Sequence, residues 1–152
     1  YYLDQMSIDQ LMDNINLEDF DGSEYSRTVI KAVRDRCSTL NEFSNESSYF
    51  FNDPKKYDDV LIKKHCNDET INYLSKLFIE LKGLENWDQI TIKQGIDNVI
   101  SGFGIGFGKV GLPLRLALTA TINSPSIDLV CEIIGKEVTL LRLNNFINRI
   151  KS

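Results

Sequence analysis

An arginine followed by a helix start is the feature of this sequence best suited to binding a ligand. Arg115 lies in a short apolar segment that begins with Pro113, and Ser124-Pro125 follows a few residues later. Pro113 suits the first turn of a helix, because its missing N–H would have no partner there and its φ is already helical. Ser124 has the side chain of a helix N-cap, with Pro125 at the first helical position. A guanidinium fork beside unpaired helix N–H groups suits a phosphate, a carboxylate or the edge of a nucleobase.

The elements that position these residues are predicted to be helices. Apolar residues from Ile127 onward recur at three- and four-residue steps, Gly135 ends that helix, and another runs to the end of the chain. The strongest amphipathic pattern upstream covers residues 68–81, with Asp68 as its cap and Gly83 after it. Further helices are predicted over residues 7–15 and 25–36, and from near 39, 56 and 87.

The fold class follows from this periodicity. No segment shows sustained period-two alternation, so we predict an all-α fold of stacked short helices. The turn sequence Asn52-Asp53-Pro54 predicts a boundary between two small helical subdomains, 1–53 and 54–152.

A glycine-rich stretch, residues 102–111, offers a competing interpretation as a phosphate-binding loop. Its second half fits GxGxxG, and Asp128 follows at about the right separation. That motif needs a strand before it and a long helix after it, whereas Pro113 and short helices follow here. We therefore predict a flexible linker between two helices, with a small nucleotide-binding enzyme as an alternative that would require a parallel sheet.

Composition and charge narrow the class of protein. Hydrophobic residues at 42% and charged residues at 26% are ordinary globular values. The net charge of -5 argues against non-specific nucleic-acid or DNA binding, which needs a broad basic surface. It is compatible with reading a few unstacked bases. No apolar run approaches the roughly 20 residues that span a bilayer, and no secretory signal is visible.

The three cysteines are widely spaced, with no CxxC pair. We expect reduced thiols in a cytoplasmic protein, with no disulfide and no metal site. His65 and Cys66 are neighbours, but adjacent helical residues point about 100° apart, so they would not form a catalytic dyad. The first residue is tyrosine rather than methionine, so we expect a fragment.

Two ordered motifs resemble the C-terminal anticodon-binding region of bacterial glutamyl-tRNA synthetases. The first comprises PLRLALT at 113–119, Ser124-Pro125, IGKE at 134–137 and Arg142-Leu143. The second comprises RCSTLNE at 36–42 and the aromatic run at 49–51. Ala120 departs from the pattern, since the family usually has glycine there.

The resemblance implies a role for particular residues in reading an anticodon. Arg115 would read one base through its donor fork, with Ser124, Pro125 and Ile127 forming the other side of the pocket. The alternatives are a carboxylate partner for Arg115, an ordinary N-cap and a core isoleucine.

Two more basic residues carry roles that the resemblance implies. Arg36 would contact the other end of the anticodon, or else be a solvated arginine at a helix end. Lys109 is a weaker candidate for a phosphate contact. Lys136 and Arg142 are predicted to solvate a surface face, and Trp87 to lie in the core.

The parent protein implied by the resemblance is a glutamate–tRNA ligase that uses ATP and magnesium. The family's ATP-binding motifs are absent from these residues, so no catalytic residue is predicted and the fragment should be inactive alone. The expected partner is glutamate tRNA, with glutamine tRNA left open, and a monomer is expected. The competing function is a helical protein-interaction module without RNA. RNA binding predicts that Arg36, Lys109 and Arg115 converge on one concave face, whereas an interaction module would scatter them.

Overall fold

The structure is a computed structural model that describes residues 24–33, 49–50, 54, 56–122 and 124–151. The chain divides into two compact units, Tyr1–Asn52 and Asp53–Ser152. All regular secondary structure in the described residues is helical, which confirms the predicted all-α class. The helices predicted over 7–15 and from near 39, together with Arg36, lie outside the described residues.

The first unit contains helix α1 (Glu24–Val33). Its buried residues follow the helical spacing that predicted it: Val29, Ile30 and Val33. The Tyr25 hydroxyl donates a hydrogen bond to the backbone carbonyl of Phe50. The Phe50 ring lies 4.6 Å from that of Tyr49, and both side chains are buried.

The second unit contains six helices in its described residues. They are α2 (Asp59–His65), α3 (Asp68–Lys82), α4 (Gln89–Phe103), α5 (Gly108–Thr119), α6 (Ile127–Ile134) and α7 (Lys136–Lys151). No helix among the described residues is both long and apolar enough to cross a membrane.

Short polar residues begin two of these helices. Asn67, rather than the predicted Asp68, caps α3, because its side chain accepts hydrogen bonds from the N–H groups of Glu69 and Thr70. Asp88 caps α4 by accepting from the N–H of Thr91 at 2.8 Å and from its hydroxyl at 3.0 Å. These hydrogen bonds from Thr91 lower the pKa of Asp88.

Helix α5 is the element around which the second unit packs. It contacts α2, α3, α6 and α7, while α3 also packs on α4 and α7. The buried core comes largely from three helices: Leu74, Leu77 and Leu81 of α3, Val110, Leu114, Leu116 and Leu118 of α5, and Leu143, Phe146 and Ile147 of α7. The Tyr57 ring meets Phe146 edge-on at 5.2 Å, and its hydroxyl donates to the carbonyl of Ala117 at 3.1 Å.

The start of α5 corrects the prediction for the glycine-rich stretch. The helix begins at Gly108, so Pro113 lies inside it rather than in its first turn, and part of the predicted linker is helical. The N–H groups of Val110 and Gly111 donate to the carbonyl of Phe107, which extends the helix upstream of the proline. Gly104 takes a left-handed φ of 65° at the end of α4, where glycine avoids the steric cost of a Cβ.

Candidate functional site

Arg115 lies on α5, half-buried, with part of its donor fork unused by the protein. Its Nε donates to the Ser124 hydroxyl oxygen at 3.2 Å, and that hydroxyl donates to the carbonyl of Pro125 at 2.8 Å. Among the described residues, the two Nη atoms of Arg115 have no acceptor. The outer edge of the guanidinium can therefore donate to a ligand without breaking a protein hydrogen bond.

The structure corrects the predicted roles of Ser124 and Pro125 as helix N-cap and first helical residue. Helix α6 begins at Ile127, and Ser126 occupies the cap position. Ser124 is buried, and its hydroxyl holds the Arg115 side chain instead of a helix N–H group. Arg115 and Ser124, both predicted for the site, are thus in contact. Ser124 accepts a hydrogen bond that orients the arginine and does not cap a helix.

A cavity of about 500 Å³ lies beside Arg115, between α4, α5 and α6. It is lined by Gln89, Lys93 and Ile96 of α4, by Phe107 and Arg115, and by Ser126, Ile127 and Asp128 at the start of α6. Of the residues predicted for the site, Arg115 and Ile127 therefore line the same space. The lining carries two cationic side chains and one carboxylate, so the cavity is locally positive on a chain whose net charge is -5.

The N-terminus of α6 faces this cavity through its first residues. The Ser126 side chain makes no capping hydrogen bond, so it does not satisfy the first backbone N–H groups of the helix. These N–H groups carry partial positive charge, which the Asp128 carboxylate in the first turn partly offsets. Ile127 lines the cavity but is only 1% exposed, so its side chain presents little surface to a ligand.

The other predicted basic residues are placed differently. Lys109 is exposed in the first turn of α5 and does not line the cavity. Its position is about 9 Å along the helix axis and about 120° around it from Arg115. Arg36 lies outside the described residues, so the predicted convergence of the three basic residues stays a prediction.

The prediction that Arg142 and Lys136 are solvated is wrong. Arg142 is buried, with 3% exposed, and its Nη1 donates to the carbonyl of Leu118 at 2.8 Å. Lys136 is half-buried, and its Nζ donates to the carbonyl of Leu84 at 2.7 Å. Both cations satisfy carbonyl groups at or just beyond helix C-termini, where positive charge is favourable.

The chain turns at Ala120, between Arg115 and Ser124. Ala120 takes a left-handed φ of 60° at the end of α5, and its N–H donates to the carbonyl of Leu116 at 2.9 Å. A Cβ in this conformation is strained, whereas glycine would adopt it without that cost. Ala120 therefore forms the turn that leads to Ser124 at a cost in backbone strain.

Six residues of the cavity were not predicted from the sequence as site residues: Gln89, Lys93, Ile96, Phe107, Ser126 and Asp128. A signal existed only for Phe107, since Phe107, Gly111 and Arg115 are spaced by four residues and so share one side of a helix. This spacing indicates a shared helix side only because α5 begins within the glycine-rich stretch, at Gly108.

The remaining candidates for reactive chemistry in the described residues are clusters of metal-binding side chains and the cysteines. In the part of the chain that the structure describes, no group of three or more His, Cys, Asp and Glu side chains could hold a metal ion. Burial raises the pKa of the Cys66 thiol to about 11 and that of the Cys131 thiol to about 12. The Trp87 indole, half-buried, donates to the carbonyl of Cys131 at 2.8 Å and ties the loop before α4 to α6.

The chain is similar to curated glutamate–tRNA ligases from two organisms. It is 43% identical over 115 residues to the enzyme of Vesicomyosocius okutanii and 39% identical over 115 residues to that of Ruthia magnifica. Each alignment covers 76% of this chain and 25% of the relative. The chain thus spans about a quarter of the length of the curated relatives it matches.

Solved structures and a family model agree with this similarity. A glutamate tRNA ligase from Elizabethkingia meningosepticum superimposes with a TM-score of 0.81 at 27% identity, over 96% of this chain and 30% of that chain. A glutamate-tRNA synthetase from Elizabethkingia anophelis gives a TM-score of 0.76 at 25% identity, over 96% of this chain and 29% of that chain. The family model of the anticodon binding domain matches residues 6–147. With the half-buried arginine, the locally positive cavity and the all-α fold, these matches confirm the resemblance and show that the chain belongs to the anticodon binding domain family.

Proposed function

We propose that the cavity beside Arg115 binds an unstacked anticodon base of a tRNA. The observation that carries this proposal is that the Nη groups of Arg115 lack an acceptor among the described residues and adjoin a locally positive cavity. A planar donor fork matches the paired acceptors of a base edge, which a point charge such as lysine does not.

The surrounding residues give each part of a base a matching surface. Ser124 fixes the orientation of the guanidinium through its Nε, so less side-chain freedom is lost when a base binds. The first N–H groups of α6 offer donors to a carbonyl or phosphate oxygen. Single-stranded loops are read in this way, by hydrogen bonds to exposed base edges and by contact with base faces.

We further propose that the parent of this chain is a glutamate–tRNA ligase, as its relatives are. Activation of glutamate would use ATP and magnesium in another part of that ligase. Isolated, the 152 residues are expected to have no aminoacylation activity. The proposed partner is glutamate tRNA, and glutamine tRNA stays open as a second partner. The parent protein is proposed to be monomeric and cytoplasmic.

The anticodon-reading role would improve tRNA selection at a distance from the chemistry. Binding energy from a remote part of a substrate can be used to position its reacting end. A tRNA with the wrong anticodon would leave the Arg115 donors unpaired in the cavity, which weakens its binding relative to the correct tRNA.

The test is the binding of this chain to a glutamate-tRNA anticodon stem-loop, compared between wild type and Arg115→Ala at two salt concentrations. We expect the variant to lose about 1 to 3 kcal/mol of binding and to discriminate less between anticodon sequences. Arg149→Ala is the matched control, because it removes a positive charge at an exposed salt bridge to Asp59 that does not line the cavity.

The proposal fails if binding is indifferent to both the anticodon sequence and Arg115. Equal losses in Arg115→Ala and Arg149→Ala would also count against it, since they would show that net charge alone controls RNA binding.

A further inference from the structure

Two residues of the cavity have no part in the proposed reading of a base edge by Arg115. Phe107 keeps 42% of its side chain exposed, although it is a large aromatic residue on the cavity wall. Lys93 extends from α4 and is exposed at the same cavity. An exposed aromatic ring and a cation are the two groups that single-stranded nucleic-acid sites use repeatedly, for base faces and for the backbone.

The position of the Phe107 ring is set by a glycine. A Cβ added at Gly111 would lie 2.4 Å from Cε1 of Phe107, so the ring rests directly against the helix backbone. Phe107, Gly111 and Arg115 are each four residues apart, which places the ring and the guanidinium on one side of α5. Their Cα atoms are separated by about 12 Å along the axis, a span that a nucleotide between them can bridge.

A second exposed phenylalanine shows what is unusual about Phe107. Phe103 has a similar exposure of 41%, but its ring packs edge-on against Tyr73 at 4.8 Å. Within the described ranges, Phe107 has no aromatic partner, and part of its ring adjoins the cavity instead. The ring is thus oriented on one side by the glycine and available to a planar ligand on another.

The opposite wall supplies the charge. Gln89 and Lys93 are four residues apart on α4, so both side chains reach the cavity from one helix face. A flexible lysine is a point charge suited to a phosphate, whereas the Arg115 fork suits a base edge. Lys93 also borders a neighbouring groove that contains Asp97 and Asp128, and no ion pair of Lys93 is formed among the described residues.

We propose that the cavity holds one whole nucleotide of a single-stranded RNA loop, with its base stacked on Phe107 and its phosphate bound by Lys93. This inference rests on the proposed function and deepens it, because it assigns the base face and the backbone while Arg115 takes the base edge. The cavity volume of about 500 Å³ falls in the usual range for ligand sites.

The stacking part is tested with an anticodon stem-loop and the same loop made abasic at each anticodon position in turn. Base–aromatic stacking predicts that Phe107→Ala weakens binding of the intact loop by about 5-fold to about 100-fold. One abasic loop should bind wild type and Phe107→Ala equally, because it lacks the base that stacks. Phe107→Trp should retain binding, and Phe103→Ala is the control of matched exposure.

A spectroscopic measurement separates stacking from a structural role of the ring. With 2-aminopurine at the position identified by the abasic loops, wild type should quench its fluorescence on binding and Phe107→Ala should not, at saturating protein. Gly111→Ala should act in the same direction, because its Cβ displaces the ring without removing it. Far-UV circular dichroism establishes that each variant is folded.

The phosphate part is tested by Lys93→Ala. Loss of one phosphate contact should weaken binding by a similar factor for all anticodon sequences, and should reduce the slope of log K against log salt by about 0.7. Lys82→Ala, which removes an exposed lysine at the end of α3, should leave the slope unchanged.

The outcomes distinguish this inference from the proposed function. Suppose that Arg115→Ala abolishes anticodon discrimination, that Phe107→Ala and Phe103→Ala bind the loop equally, and that Phe107→Ala still quenches 2-aminopurine. The stacked nucleotide would then be wrong, and the proposal that Arg115 binds a base edge would stand. If Lys93→Ala and Lys82→Ala give the same salt slope, the phosphate contact is wrong. If wild type binds no anticodon loop, or binds a protein ligand at this cavity instead, both proposals fall.

Discussion

Arg142 and Arg115 of the second unit lie in different surroundings. The difference predicts that one arginine stabilises the fold and the other binds a ligand. Arg142 of α7 is buried and donates to the carbonyl of Leu118 at 2.8 Å. Arg115 of α5 is half-buried. Its Nε donates to the Ser124 hydroxyl, and its Nη groups have no acceptor among the described residues beside the cavity. Arg142 reaches α5 from the neighbouring helix α7, whereas Arg115 belongs to α5 and lines the cavity.

The contrast follows from the cost of burying a charge. A guanidinium enclosed by protein must be hydrogen-bonded, so Arg142 is tied to the end of α5 and stabilises it. A guanidinium at a cavity can keep part of its hydration until a ligand replaces it. Arg142 should therefore contribute mainly to folding and Arg115 mainly to binding.

The largest expected effect is that of Arg142→Ala on stability. Removing the buried donor leaves the Leu118 carbonyl without that hydrogen bond and opens a space beside α5, which should lower the free energy of unfolding by about 2 to 3 kcal/mol. Urea unfolding followed by the fluorescence of Trp87, the one tryptophan of the chain, measures this. Arg142→Met should lose less, because it keeps the apolar stem, and an unchanged midpoint in both variants would refute the structural role.

A smaller effect on stability is expected for Arg115→Ala. It removes one hydrogen bond of a half-buried group and leaves Ser124 bonded to the Pro125 carbonyl, so we expect a loss of less than about 1 kcal/mol. The same urea titration applies. A loss of unfolding free energy as large as that of Arg142→Ala would mean that Arg115 also stabilises the fold. The proposed difference between the two arginines would then be wrong.

Ala120→Gly should stabilise the protein slightly. Relief of the left-handed Cβ strain, about 1 to 2 kcal/mol, outweighs the entropy that glycine adds to the unfolded chain, leaving a gain of about 0.5 to 1 kcal/mol. Ala117→Gly is the control inside α5, where the same substitution should destabilise by at least about 1 kcal/mol, because it adds backbone freedom and removes a buried methyl group. Equal destabilisation of both variants in thermal unfolding would contradict a strained Ala120.

The least perturbing test uses Cys131, which is buried in α6. Because burial raises its pKa to about 12, the thiol is protonated at pH 8 and should react with N-ethylmaleimide only when the fold opens. Peptide mass spectrometry should find alkylation of Cys131 much faster in Arg142→Ala than in Arg115→Ala, whose smaller stability loss should raise the rate by less than about 5-fold. Similar alkylation rates in Arg142→Ala and Arg115→Ala would show that both arginines keep Cys131 buried, contrary to this prediction.

The same thiol predicts a direction for the pH dependence of stability. The folded pKa lies above the ordinary value of 9.0, so between about pH 9 and about pH 12 the unfolded state binds fewer protons than the folded state. The contribution of Cys131 to stability is complete below pH 9 and is lost as the pH rises to 12. Cys131→Ala should remove this part of the alkaline decline in the urea midpoint.

Much of the helical framework could be predicted from local patterns. The helix predicted over 68–81 is found as Asp68–Lys82, and Gly135 ends α6 as expected. The predicted start at Pro113 was wrong because a proline can lie inside a helix when upstream turns supply the other hydrogen bonds. The N-cap at Ser124 was wrong because a partner elsewhere in the chain, Arg115, competes for the same hydroxyl.

The sequence by itself determined the fold class and the family, and it singled out Arg115 as the candidate ligand-binding arginine. Helical periodicity is a local property, and the ordered motifs around Arg115 and Ser124-Pro125 are carried by residue type and spacing. Tertiary structure alone decided that Lys93 and Phe107 join Arg115 at one cavity, and that Arg142 is buried rather than solvated. Which side of a helix meets which neighbour depends on packing between distant segments, and no spacing along one segment records it.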